Sequence, residues 1–342
     1  METLIIAADK IVDGKGNTQT TENLIKNLTN KNLKYTTLYI DPLKTNWNSP
    51  LTKNHFRSGC APVEAVINAD NLIKKKDYDF IVVSGKDLIK SDYTKEERIN
   101  SMAIYENSIP SLYNRISKEF LMNENITESD FKKSSDFLFK NYTKTYSATD
   151  SNYKPDPRWF TYITELFRGV DCANPVIDFE GKIVIAGSHC LEDLKTKSLK
   201  ILGHGFGQVN DGSENISEIK AFFHLEKAIN EAIDSSKIDF FKEYINKNAV
   251  MEVYTCYPII PIAFLFKSGL IKSIGDIKEL LRKNEITITG GMNLSKAPWN
   301  NPSLNAIIDM FKILSKDNKR YGLVHGNGGL GYKQGILIME AI

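Results

Sequence analysis

Residue types that usually carry catalytic chemistry are scarce in this chain of 342 residues, which has 4 Cys, 5 His and 3 Trp. The cysteines, at positions 60, 172, 190 and 256, form no C-x-x-C pair, and no His/Cys group has zinc-ligand spacing. Four cysteines spread over this length do not make a disulfide framework. The reading is of reduced thiols in a cytoplasmic protein, with no metal and no tightly bound cofactor. Nor is there an excess of charge. Lys+Arg 44 against Asp+Glu 42 leaves a formal net charge of +2, too little to favour nucleic acid or an anionic membrane. Lysine clusters such as Lys74-Lys75-Lys76 fall at helix ends, where they complement the helix dipole. No apolar run approaches the length of a membrane span. Met1 to Lys10 is too short and too acidic for a signal peptide and reads as a first strand. Walker and G-x-S-x-G motifs are missing. Gly203-His204-Gly205-Phe206-Gly207 lacks dinucleotide-loop spacing, and Val209 to Gly212 after it reads as a turn.

What the chain has is alternation: short apolar runs interleaved with amphipathic stretches, the signature of an α/β protein. Leu4–Ala8, Tyr35–Ile40, Phe80–Val83, Gly181–Ala186, Ser198–Gly203, Val250–Tyr254, Ile286–Thr289, Tyr321–Val324 and Ile336–Met339 read as strands. Helices are expected around Glu22–Leu28 and over Ala61–Lys74, Ile219–Ala232, Ile260–Ser268 and Ser303–Ser315. Residues 88 to about 155 change character, with Leu, Phe and Tyr at helical spacing over Ser111–Met122 and Ser129–Asn141. This stretch reads as an inserted, mainly helical region.

Two units echo each other. Cys60-Ala61-Pro62 opens a helix that runs through a lysine-rich turn to Phe80-Ile81-Val82-Val83-Ser84-Gly85. Asn301-Pro302-Ser303 opens another that runs through a similar turn to Tyr321-Gly322-Leu323-Val324-His325-Gly326. The repeat suggests a duplicated α/β half.

Cys60 precedes a helix with proline just inside its start, where backbone N–H groups and the helix dipole would favour a thiolate. His325 is read as sitting in a glycine-rich turn, before Gly326-Asn327-Gly328-Gly329, where it could act as general base or acid. A free cysteine is more often a buried small hydrophobe, and a turn histidine often bonds only to local backbone. Tyr254 and Cys256, in Glu252-Val-Tyr-Thr-Cys-Tyr-Pro258, could line a pocket or simply fill the core. Gly290 to Asn301 is a long polar loop at a strand end, where α/β proteins commonly place ligands.

Together these pieces resemble the thiolase superfamily. Cys60-Ala61-Pro62, its helix and Ile81 to Gly85 resemble the nucleophile-cysteine helix and the strand after it. Glu252 to Pro258 resembles the block that reads Asn-Glu-Ala-Phe or His-Glu-Ala-Phe in thiolases, and is closer to the Tyr-Ser-Cys-Phe-Pro form of a divergent acetyl-CoA acetyltransferase branch. Thr289-Gly290-Gly291, then Ala297-Pro298-Trp299-Asn300-Asn301 through His325 to Gly329, is similar to that branch's C-terminal block. Weaker matches are Asp171-Cys172, Asp178 to Gly181 and Leu202 to Gly205. The similarity is collinear from about residue 55 onward.

The resemblance implies two similar α/β halves in a five-layer αβαβα stack, residues 1–195 and 196–342, with the insert at about 88–155 in the first. It implies a homodimer or homotetramer, or pairing with a second thiolase-like subunit, and coenzyme A, acyl-CoA or an acyl carrier as substrate. Cys60 would be acylated, and His325, standing where the family has a second reactive cysteine, would move protons for condensation, thiolysis or acyl transfer. The N–H groups of Cys60 and of Gly326, Asn327 and Gly328 would hold the oxyanion. Tyr254, Cys256, Ala297, Asn300 and Asn301 would line the substrate pocket. The family's catalytic histidine falls on Ala297, and its oxyanion-holding Asn or His on Tyr254. Those losses admit a second reading: a non-catalytic thiolase-fold subunit that binds acyl groups or stabilises a catalytic partner. The two readings part on whether Cys60 and His325 meet where the halves join.

Overall fold

The computed structural model describes residues 2–191, 197–209, 216–316 and 319–342. The boundary expected at 195/196 and most of the turn expected at 209–212 lie outside the described residues. The first half supplies strands β1 (Thr3–Val12), β2 (Lys15–Asn17), β3 (Tyr35–Ile40), β4 (His55–Phe56), β5 (Phe80–Leu88) and β6 (Asp178–Gly187). Between them run α1 (Gln19–Asn30) and α2 (Ala61–Lys74). The insert between β5 and β6 carries α3 (Lys95–Met102), α4 (Ile109–Asn123) and α5 (Glu128–Tyr146). The second half supplies β7 (Leu199–Gln208), β8 (Ala249–Glu252), β9 (Tyr321–Gly328) and β10 (Lys333–Ala341). Its helices are α6 (Ile216–Ile219), α7 (Phe223–Ser236), α8 (Phe240–Ile245), α9 (Ile259–Lys267), α10 (Ile277–Lys283), α11 (Gly291–Leu294) and α12 (Pro302–Leu314).

The strands follow the order β4-β3-β5-β6-β1-β7-β10-β9-β8, with β2 added on β1. The duplication is visible in the pairing. In the first half β3 runs parallel to β5, and β6 is antiparallel to both β5 and β1. In the second, β8 runs parallel to β9, and β10 is antiparallel to both β9 and β7. Among the described residues the two sets pair where Leu4 and Ile5 meet Lys200 and Leu199. Helices α2 and α12 pack on each other and on strands of both sets, which makes them the middle layer; α1 covers the outer face of β1 and β6, and α7 that of β7 and β10. This is the expected five-layer stack. Strand β1 shows why both faces must be apolar: Leu4 and Ile6 join one core with Leu24 and Leu28, while Ile5 joins another with Val63 and Val66.

Most strands run longer than expected, and three readings change in kind or take in glycine segments. Tyr321–Val324 extends through Gly328, so His325 and Gly326 to Gly328 lie in a paired strand and not in a turn. Ser198–Gly203 extends to Gln208, taking in all of Gly203 to Gly207. The glycines recur every second residue and turn bare backbone toward α7; a Cβ at Gly203, Gly205 or Gly207 would run into the carbonyl oxygens of Ala232, Ala228 or His224. Ile286–Thr289 is no strand. Its N–H groups at Ile288 and Thr289 donate to the Glu252 carboxylate at 2.6 and 3.1 Å, and the Thr289 hydroxyl donates to the same group at 2.6 Å.

Because backbone oxygens cannot move aside as side chains can, Gly205→Val should cost about 3 kcal/mol or more in urea unfolding. The exposed Gly275, where a Cβ meets only Ser273 Oγ at 3.6 Å, should accept alanine with little change.

Candidate functional site

The N-terminus of α2 is built on an irregular turn. Ser58 holds φ at 134°, a value that costs an L-residue strain, and its Oγ accepts the Cys60 N–H at 3.2 Å. Pro62 occupies the first turn. Cys60 is fully buried, and its thiol lies over the bare backbone of Gly335, where a Cβ would be 2.8 Å from Sγ. Gly326, the cross-strand partner of Gly335, lies on the same face, where its Cβ would be 3.2 Å from Cys60 Cα. Burial pushes the Cys60 thiol well above the ordinary thiol range, with the nearby Glu64 carboxylate adding to the effect. Desolvation therefore outweighs the helix terminus, and the expected thiolate is replaced by a neutral, packed thiol.

His325 lies on the other face of β9. Side chains alternate along a strand, so the residue next to Gly326 points away from α2, and the ring stacks on Phe264 of α9 at 5.0 Å. Its Nδ1 accepts the Tyr254 N–H at 3.4 Å, and its Nε2 bonds Gln334 Oε1 at 2.7 Å. An amide oxygen only accepts, so the Nε2–H tautomer is the one that fits. Burial lowers the His325 pKa to about 4. No hydrogen bond joins Cys60 and His325 among the described residues, and the sheet stands between them. Of the expected oxyanion donors, the Cys60 N–H is committed to Ser58, and those of residues 326 and 328 to the ladder with β10.

From His325 a buried polar chain leads elsewhere. Gln334 Nε2 donates to Asn327 Oδ1 at 2.7 Å and to the Gly331 carbonyl at 2.8 Å. Asn327 Nδ2 donates to the Tyr113 hydroxyl at 3.2 Å and approaches Cys256 Sγ at 3.8 Å. Tyr113 donates in turn to the Gly329 carbonyl at 2.8 Å. The chain ends at a cavity of about 590 Å³. Tyr113, Tyr254, Cys256, Ala297, Asn300 and Asn327 are among its walls, together with Trp47, Trp299 and the segment from Met102 to Pro110. Cys60 and His325 do not line it. Tyr254 is the reason for Cys60, since its hydroxyl lies against Gly59, filling the space between the cavity and the start of α2. Cys256 does face the cavity, but burial pushes its thiol up to about 12.

Asn301 is not in the cavity. It sits on Gly85, the partner of Gly181 across β5 and β6, and so occupies in its half the place that Cys60 holds in the other. Tyr113 and Gln334 were not expected as site residues. Tyr113 reads as one more aromatic at helical spacing, and only a polar Gln334 within the apolar run of β10 hinted at a buried network. Among the described residues no group of His, Cys, Asp or Glu could hold a metal ion.

Two outcomes follow from this geometry. Native Cys60 should resist iodoacetamide, while Tyr254→Ala, which opens the path from the cavity, should raise its alkylation rate at least tenfold by peptide mass spectrometry. Because the folded His325 pKa lies below the ordinary value near 6.5, the unfolded chain binds more protons between pH 6.5 and 4. Its contribution, on the order of 3 kcal/mol, is therefore full above pH 6.5 and lost as pH falls toward 4. Urea unfolding of His325→Gln should show a flatter pH dependence over that window than the wild type.

No protein-family model and no curated protein matches the chain. Solved structures do. A monomeric SCP2-thiolase like protein type 1 from Mycobacterium smegmatis superposes with a TM-score of 0.71 at 14% identity, over 99% of this chain and 77% of that one. The Ltp2-ChsH2(DUF35) aldolase superposes with a TM-score of 0.67 at 14% identity, over 99% of this chain and 98% of that one. Likeness at that identity speaks to the fold alone: with the repeated strand order and the two central helices, it shows that the chain has a thiolase-like fold.

Proposed function

We propose that the protein binds an acyl group non-covalently in the 590 Å³ cavity and serves as a thiolase-fold subunit beside a catalytic partner. The observation that carries this reading is the position of Tyr254, which stands between the cavity and a Cys60 that is buried, protonated and on the other side of β9 from His325. An acyltransferase of the expected kind would need the thiol open to a thioester and a base within hydrogen-bond reach of it. The cavity is of the size and apolar character usual for small-molecule sites. Ala297, where the resemblance would put a catalytic histidine, contributes only a methyl group to it.

Acyl-CoA is the natural form in which such a ligand would arrive, its nucleotide end remaining outside. The partner would be a second thiolase-like chain or another copy of this one, in a dimer or tetramer. One of the similar structures is named as a pair, Ltp2 with ChsH2(DUF35). No helix among the described residues is long and apolar enough to cross a membrane, which fits a partner met in solution.

Incubation with decanoyl-CoA followed by intact mass spectrometry should give no acyl adduct, and Cys60→Ala should bind the ligand as the wild type does. A decanoyl adduct on Cys60, lost in Cys60→Ala, would overturn the reading.

A further inference from the structure

The polar groups of the cavity carry a statement about charge. Its walls include no Lys, Arg or His among the described residues, and their one carboxylate, Glu106, is exposed at the mouth. Most of the interior polar atoms already have partners. Asn327 is spent on Tyr113 and Cys256, and Tyr113 on the Gly329 carbonyl. One group remains. The Tyr254 hydroxyl has no hydrogen-bond partner among the described residues, and burial keeps it protonated, so it is a free donor. Asn300 offers the cavity nothing further, since its amide nitrogen donates to the Asp41 carbonyl at 2.8 Å and its Oδ1 is buried away from it.

Resting on the binding reading above, we infer that the cavity selects an uncharged molecule, an apolar chain bearing one carbonyl oxygen that accepts from the Tyr254 hydroxyl, and rejects the matching carboxylate. A carboxylate here would lose its hydration with no cation to replace it, and would meet the Glu106 charge at the mouth. A ketone, ester or thioester carbonyl loses far less on entering and gains a donor beside Gly59 in the Tyr254 hydroxyl. The two apolar sides of the cavity, Ile104 and Ile109 on one segment and Met292 and Ala297 on another, have no chemistry with which to prefer an ion.

Trp47 and Trp299 line the cavity and Trp159 lies on the surface outside it, so tryptophan fluorescence of the full chain can report binding. Methyl nonyl ketone and decanoate share the same alkyl chain and differ in the charge of the carbonyl end. At neutral pH the ketone should bind saturably, and decanoate at least tenfold more weakly. Tyr254→Phe should weaken the ketone about fivefold, the worth of a neutral hydrogen bond, and Ala297→Phe, which fills the cavity, should abolish the signal. Glu106→Lys, at an exposed position, should narrow the gap between decanoate and ketone. Equal binding of the two in the wild type would overturn the inference while leaving the binding reading intact, as would a Tyr254→Phe protein that is folded by circular dichroism and binds the ketone unchanged. Should ketone, decanoate and decanoyl-CoA all fail to give a saturable signal, the binding reading falls with it.

Discussion

The close packing of two helix starts onto paired glycines is the constraint on which the rest of the molecule depends. Helix α2 begins over Gly326 and Gly335 of the second set of strands, and α12 begins over Gly85 of the first, with Ile308 in its middle against Gly181. Each central helix thus starts against bare backbone of the opposite half while packing along strands of both. This arrangement locks the halves together, and it determines what Cys60 and Asn301 face. Both are fully buried at the seam. A residue pressed onto bare backbone has little room for a substrate unless a channel reaches it from the side.

In this chain that channel is occupied. Tyr254 ends the segment after β8, and its ring extends to Gly59. The cavity therefore stops at a tyrosine hydroxyl where a thiol would otherwise be in reach. The histidine that could have served the thiol does another job on the far face of β9, where it orients Gln334, which holds Asn327, which fixes Tyr113 and Cys256 at the cavity wall. A neutral imidazole suits that task. Protonation would leave two donors facing the Tyr254 N–H on one side and demand charge in an apolar surround on the other. The polar chain reads as a device for keeping the cavity wall rigid, with His325 acting through Gln334.

Much of the fold was legible in the sequence because its signals are local. The helix of Ala61–Lys74 and the strand of Tyr35–Ile40 have the expected bounds, since apolar periodicity and the proline at the helix start act within a few residues. The echo between Cys60-Ala61-Pro62 and Asn301-Pro302-Ser303 marked the two central helices correctly. Less legible was anything decided across the sheet. Glycines at 326 and 328 looked like a turn, and they are strand positions that make room for α2; those at 203, 205 and 207 do the same for α7. The pairing of Cys60 with His325 was inferred from their positions at the ends of apolar runs, but the face on which a strand residue points depends on register, and a single residue moves it to the other side. Tyr113 gave no sequence signal for its role, because the partners that give it meaning are more than 140 residues away.

The most direct test is a crystal structure of the protein grown with an acyl thioester carrying a medium-length chain. The account predicts the chain lying in the cavity, its carbonyl oxygen within hydrogen-bond distance of the Tyr254 hydroxyl, and Cys60 unmodified beneath an unmoved Tyr254 ring. A chain bonded to Cys60, with Tyr254 swung aside, would contradict it.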